Sequence, residues 1–218
     1  MKTDTIAAIA TALSDSGIGI IRVSGDEAVE IVDRIYRNKR NEKTLAKYDS
    51  HTIHYGYITE EEGAVIDEVM VSVMKSPRSY TTEDTVEINC HGGILMMRKI
   101  LETVIKAGAR IAEPGEFTKR AFLNGRIDLS RAEAVMDIIH AKNDFALQSS
   151  VKQLKGSVSD KVRNLRDDIL YEIAFIESAL DDPEHISLDG YHERLSEKTD
   201  MLMTELDKLL VSADDGRM

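Results

Sequence analysis

"DTVEINCHGGILMMRKILETVIKAG", residues 84–108, changes its periodicity part-way along. Up to Cys90 the pattern alternates. Val86, Ile88 and Cys90 point one way and Glu87, Asn89 and His91 the other, as in a β-strand. After Gly92 and Gly93 the apolar spacing becomes that of an amphipathic helix, with Gly108 in the usual closing position. The alternation also decides what the chain's only cysteine can do. Adjacent Cys90 and His91 diverge, so they do not form a nucleophile–base pair, and Cys90 reads as a small buried hydrophobe. The polar row Glu87, Asn89, His91 ends at a Gly-Gly turn and could address a ligand. Glu87 could accept hydrogen bonds from an amino-heterocycle.

Outward from this stretch, "TIAAIAT", "GIGIIRVSG", "HTIHYGYI" and "DEVMVSVMK" read as further strands. "DEAVEIVDRIYR" places Ala28, Ile31, Val32 and Ile35 on one helical face. Strands mixed with two helices predict an α+β domain over residues 1–118. After Pro114 no run reads as a strand, which predicts an all-α second domain over residues 119–218. "PGEFTKRAFLNG" carries helix start and stop signals. "SRAEAVMDIIHA" follows, with Ser130 and Glu133 spaced as a capping box. From Leu147 to Leu180 an apolar stripe runs at three- and four-residue intervals, predicting one long, nearly straight helix with Gly156 inside it. Pro183 ends it. A second helix, with Leu195, Leu202, Leu206 and Leu209 on one side, folds back into a hairpin that reads as scaffold. No packing element follows it, so the helical layer looks short of a partner.

The 218 residues carry a net charge of −11, which disfavours broad phosphate binding but leaves room for a local basic pocket. One cysteine forms no internal disulfide, and a reducing, cytoplasmic compartment fits. "MKTDTIAAIATAL" does not read as a signal peptide, because Asp4 sits where positive charge belongs. No segment is long and apolar enough for a membrane span.

Most site signals fail on inspection. Gly17 and Gly19 precede a strand instead of following one, and Arg22 stands where a dinucleotide fingerprint needs its third glycine. The chain has no Gly-Lys dipeptide, hence no P-loop. His51 and His54 are three apart in a strand-like run and face opposite ways, which makes them poor joint metal ligands. Two cations remain. Arg22 shares a strand face with Ile18 and Ile20; it is either a snorkelling strand-end arginine or a cation with an anionic partner. Arg126 lies in the link between two helices, either a solvated loop cation or a ligand contact.

Three blocks, "DTIAAIATALSDSGIGIIRVSG", "SPRSYTTEDTVEINCHGG" and "AEPGEFTKRAFLNGRIDLSRAEA", resemble the N-terminal half of the MnmE (TrmE) family of bacterial tRNA-modification GTPases. The resemblance extends over essentially the whole chain. It implies an N-terminal domain like that of the folate-dependent aminomethyltransferase, which binds 5-formyl-tetrahydrofolate or another tetrahydrofolate derivative and forms a homodimer. It implies a helical domain into which a GTPase domain is inserted, with GTP, K+ and Mg2+ belonging to that insertion. It implies that the parent protein works with the flavoprotein MnmG to install the 5-carboxymethylaminomethyl group on the wobble uridine of tRNA. The family's folate contacts fall on Arg22, Glu87 and Arg126; lysine is frequent at the last position. "SADDGRM" stands where the GTPase domain would begin, and the family's C-terminal cysteine motif is absent. The expectation is therefore a folate-binding, dimerising part of a GTPase, without metal or catalytic residues of its own. A stand-alone folate-dependent one-carbon transferase and a purely structural dimerisation module are the alternatives.

Overall fold

A computed structural model describes residues 4–42, 44–60 and 63–215. The ends of two stretches read above, Met1–Thr3 and Gly216–Met218, lie outside the described residues.

The chain divides into two compact units, Met1–Ile127 and Asp128–Met218. The first unit is α+β and the second all-α. Seven strands form one sheet: β1 (Ile6–Ile9), β2 (Ser16–Ser24), β3 (Tyr36–Arg37), β4 (Thr52–Thr59), β5 (Val65–Met74), β6 (Thr85–Gly92) and β7 (Arg110–Ile111). Their order is β3-β4-β5-β6-β2-β1-β7. All neighbours are antiparallel except β1 and β7. Alternation gives the sheet two unlike faces. On one face Val71, Ile88 and Ile21 stand in register, all fully buried. Helices α1 (Ala28–Ile35) and α2 (Ile94–Lys106) cover this face with Ile31, Val32, Met97, Ile100 and Val104. Burying side chains of this kind contributes roughly 1.5–3 kcal/mol each. On the other face Ser72, Glu87 and Arg22 form a cross-strand row. Beside it Tyr55, Met70, Asn89 and Ile20 form a second.

Two glycines of the sheet have packing reasons. Gly92 is the last residue of β6, and a side chain there would run into Ser16 on β2. Gly19, inside β2, leaves room for the Met97 side chain of α2. Cys90 is buried as expected; burial and the nearby Asp67 carboxylate push its thiol up to about 11. At that value the thiolate population near neutrality is negligible.

Helix α3 (Glu116–Leu123) belongs to the sheet unit, although the sequence reading set the boundary at 118/119. The helical unit comprises α4 (Leu129–His140), α5 (Asp144–Leu154), α6 (Ser157–Asp181) and α7 (Tyr191–Asp215). Two sequence expectations are corrected here. The N-cap of α4 is Asp128, not Ser130: its Oδ1 accepts from the Arg131 amide at 2.9 Å and from the Ser130 hydroxyl at 2.7 Å. A carboxylate at the N-cap satisfies an orphan amide and faces the positive end of the helix dipole. The long helix is also two helices. Gly156 adopts φ +94°, a left-handed conformation that ends α5 and starts α6. A side chain at this joint would collide with the Arg131 guanidinium.

The hairpin of α6 and α7 forms as expected. Tyr191 donates to Glu172 Oε2 at 2.7 Å, and Lys198 lies 2.8 Å from Glu172 and 3.3 Å from Asp168. These contacts run in opposite directions along the two helices. Much of the apolar stripe stays open, with Val162, Ile169 and Ile173 each more than two-fifths exposed. Among the described residues no helix is long and apolar enough to cross a membrane.

Candidate functional site

The row across β2 and β6 puts Arg22 directly opposite Glu87. Arg22 Nε donates to Glu87 Oε1 at 2.8 Å, and Nη2 reaches the same oxygen at 2.7 Å. Both side chains keep some exposure, 29% and 21%. The anionic alternative for Arg22 is the one observed. Concentrating both bonds on one oxygen has a consequence: among the described residues Glu87 Oε2 and Arg22 Nη1 have no protein partner. An acceptor and a donor, adjacent and solvent-reached, remain free for a ligand.

Two aromatic rings flank the pair. The Arg22 guanidinium lies 5.7 Å from the ring centre of Tyr80 and 5.6 Å from that of Phe117, within cation–π range. Arg126 lies 5.0 Å from the Tyr80 ring and donates to the Tyr80 carbonyl at 3.1 Å. Tyr80 thus links the three sequence-chosen residues. It does not place them in one hollow. A hollow of about 480 Å³ beside Tyr80 is bordered by Arg126, Arg78, Asn124 and His51, and by neither Arg22 nor Glu87. Its size falls within the range of small-molecule sites.

Tyr80 and Phe117 were missed by sequence reasoning, although both lie inside the motif blocks quoted above. The surrounding pattern explains their placement. Ser79 donates to the Glu83 carbonyl at 2.5 Å, and Ser76 donates to Asp84 at 2.8 Å through its amide and to the Thr82 carbonyl at 2.8 Å through its hydroxyl. The loop between β5 and β6 therefore holds its own shape. Glu83 ties it to the rest. This buried carboxylate accepts from Ser24 at 2.9 Å and lies 3.1 Å from Arg120 of α3. Arg120 also pairs with Asp4 at 2.7 Å and Glu116 at 3.1 Å. Hydrogen bonding to Arg110 holds the Glu116 carboxyl down to about 2 despite its burial. Tyr80 shares a hydrogen bond with Thr118, and Asn124 donates to the Thr81 carbonyl at 2.7 Å. The buried ions fix α3, and so Phe117, against the loop that carries Tyr80.

The remaining polar residues of the opening stretch are occupied. Asn89 donates to the Met70 carbonyl at 3.0 Å. His91 is held twice by the buried Asp67, through its amide at 2.8 Å and its Nδ1 at 2.7 Å. That arrangement leaves Nε2 toward solvent, four residues along β6 from Glu87. His51 precedes β4 with a positive φ, while His54 stacks on Tyr48 with ring centres 3.4 Å apart. Burial lowers the pKa of His54.

The sequence matches the family described as GTP-binding protein TrmE N-terminus over residues 5–126 and that described as MnmE helical domain over residues 129–218. The chain belongs to the MnmE (TrmE) family. Among curated relatives, the tRNA modification GTPase MnmE of Lachnoclostridium phytofermentans is 60% identical over 218 residues, all of this chain and 47% of the relative. The MnmE proteins of Listeria welshimeri and Bacillus subtilis are 50% and 49% identical over similar spans. The chain thus spans about half the length of the MnmE relatives it matches. The two family matches meet where the two compact units meet.

Proposed function

We propose that this chain supplies the folate-binding, dimerising part of a tRNA-modification GTPase, with Arg22, Glu87 and Arg126 as its tetrahydrofolate contacts. The half-free Arg22–Glu87 pair carries the reading. Glu87 Oε2 can accept from the amino edge of a heterocycle while Arg22 Nη1 donates beside it, and Tyr80 and Phe117 offer planes against which a ring can lie. Arg126, exposed at the far side of Tyr80, suits a carboxylate tail. Bound tetrahydrofolate would supply a one-carbon unit. The chain's own residues would bind and orient it.

The homodimer, the MnmG partner and the modification of tRNA wobble uridine come with the family. So does GTP hydrolysis with K+ and Mg2+, for which these 218 residues have no P-loop. Dimerisation is supported by the sheet face that bears Ile53, Tyr55 and Met70, each 45% or more exposed on the side away from α1 and α2. Calorimetric titration of 5-formyl-tetrahydrofolate into the chain tests the reading. Binding at tens of micromolar or tighter, weakened about tenfold or more by Glu87→Ala, is the expected result. A folded chain that gives no heat, or a Glu87→Ala variant that binds unchanged, refutes it.

A further inference from the structure

A second hollow in the sheet unit is bordered by neither Arg22 nor Glu87. It is a groove of about 980 Å³ between α2 and the β3–β4 edge of the sheet. Five cations line it: Arg34, Arg37, Arg98, Lys99 and Lys106. Two carboxylates, Glu60 and Glu102, stand among them. Among the described residues Lys99 is the one of the five that forms an ion pair, with Glu60 at 2.8 Å. Arg34 donates to the Ala107 carbonyl at 2.6 Å, and Arg37 to the Tyr36 and Arg34 carbonyls at 2.6 and 3.0 Å. These bonds fix the two guanidiniums at helix C-terminal carbonyls, and among the described residues neither pairs with a carboxylate. Among the described residues, Arg98 and Lys106 have no ion-pair partner and are exposed.

A local excess of positive charge in a chain of net charge −11 concentrates anions where the rest of the surface repels them. Arg98 and Lys106 are eight residues apart on α2, about 12 Å along its axis. Arg34, bonded to the Ala107 carbonyl, joins Lys106 at one end of α2, and Arg98 stands about two turns away, so the cations outreach a single phosphate and suit a chain of them. We propose that this groove binds the sugar-phosphate backbone of an RNA strand. The phosphate chemistry follows from the groove alone; the choice of RNA rests on the proposed function. Contacts of this kind position a nucleic acid without reading its sequence.

Fluorescence anisotropy with a labelled, unmodified tRNA transcript tests the proposal on this chain between about 50 and about 200 mM KCl. Micromolar binding at low salt that falls steeply with added salt is expected. Arg98→Glu combined with Lys106→Glu should weaken it about tenfold or more and make the salt slope shallower by about two. The gentler Arg98→Gln with Lys106→Gln should give an intermediate loss. Unchanged folate binding and circular dichroism in these variants show that the fold is intact. No binding by the parent chain at low salt, or a charge-reversed chain with the same affinity and slope, overturns the proposal. Full displacement of the RNA by equimolar tripolyphosphate also overturns it, since the groove would then be a compact polyphosphate site. RNA binding without folate binding would sink the proposed function and leave the groove standing.

Discussion

Val71, Ile88 and Ile21 in the sheet unit and Val162, Ile169 and Ile173 in the helical unit are the same kinds of residue, placed with equally regular spacing. The first three are fully buried and the second three are more than two-fifths exposed. Periodicity reports which face of an element is apolar; it does not report whether that face has met a partner. In the sheet unit, helices α1 and α2 close over one face and make a core. In the helical unit the described residues include few buried apolar side chains, chiefly Ala134, Ala179 and Tyr191. The sheet unit should accordingly unfold as a cooperative body, and the helical unit should respond weakly to truncations along its stripe.

The strongest test of this contrast is electrostatic. Replacing Arg120 by Ala leaves Glu83 buried without its cation and should cost about 3–5 kcal/mol in the sheet unit, read by urea denaturation. A loss below about 1 kcal/mol would mean that the buried ions do not anchor α3. Next come matched truncations. Ile88→Ala should cost about 2–5 kcal/mol and Ile173→Ala under about 1 kcal/mol. Equal costs would break the comparison. Third is the joint at Gly156. Its left-handed φ and the nearby Arg131 predict that Gly156→Ala destabilises the helical unit by about 1–3 kcal/mol. Were α5 and α6 one continuous helix, the same change would stabilise it by about 1 kcal/mol, so the sign decides. The smallest effect is the pH dependence from Glu116. Its carboxyl is held down to about 2, so its contribution is fully present above its ordinary value of 4.5. As pH falls from 4.5 toward 2 that contribution is lost, and the sheet unit should weaken in this window. Glu116→Gln should flatten the dependence, as followed by thermal melts.

Much of this architecture was legible because alternation and helical spacing are local properties. The five longer strands, α1, α2 and the lack of strands after Pro114 among the described residues follow from them. The two-residue strands do not: β7 is not foreseen, and Tyr36–Arg37 reads as the end of the helix before it. What was not legible depended on backbone joints or on register. The apolar stripe keeps its rhythm across Gly156, so spacing alone could not reveal the break. Asp128 and Ser130 both offer an oxygen for α4, and only the backbone decides which one caps it. Arg22 and Glu87 were selected singly, yet their pairing needs the β2–β6 register. Asp67 was not selected at all, because nothing near it in sequence announces that it will hold His91. Tyr80 and Phe117 come together only through the ions that fix α3 to the loop before β6.

The burial of Cys90 has a practical corollary. Because it is the chain's single thiol, sits in the sheet core and is little ionised near neutrality, alkylating reagents should meet an inert molecule in the native state. Labelling would then proceed only through opening of the sheet unit. The helical unit could come apart without contributing to the signal. One atom thus makes the chain a self-reporting probe of one half of its own stability.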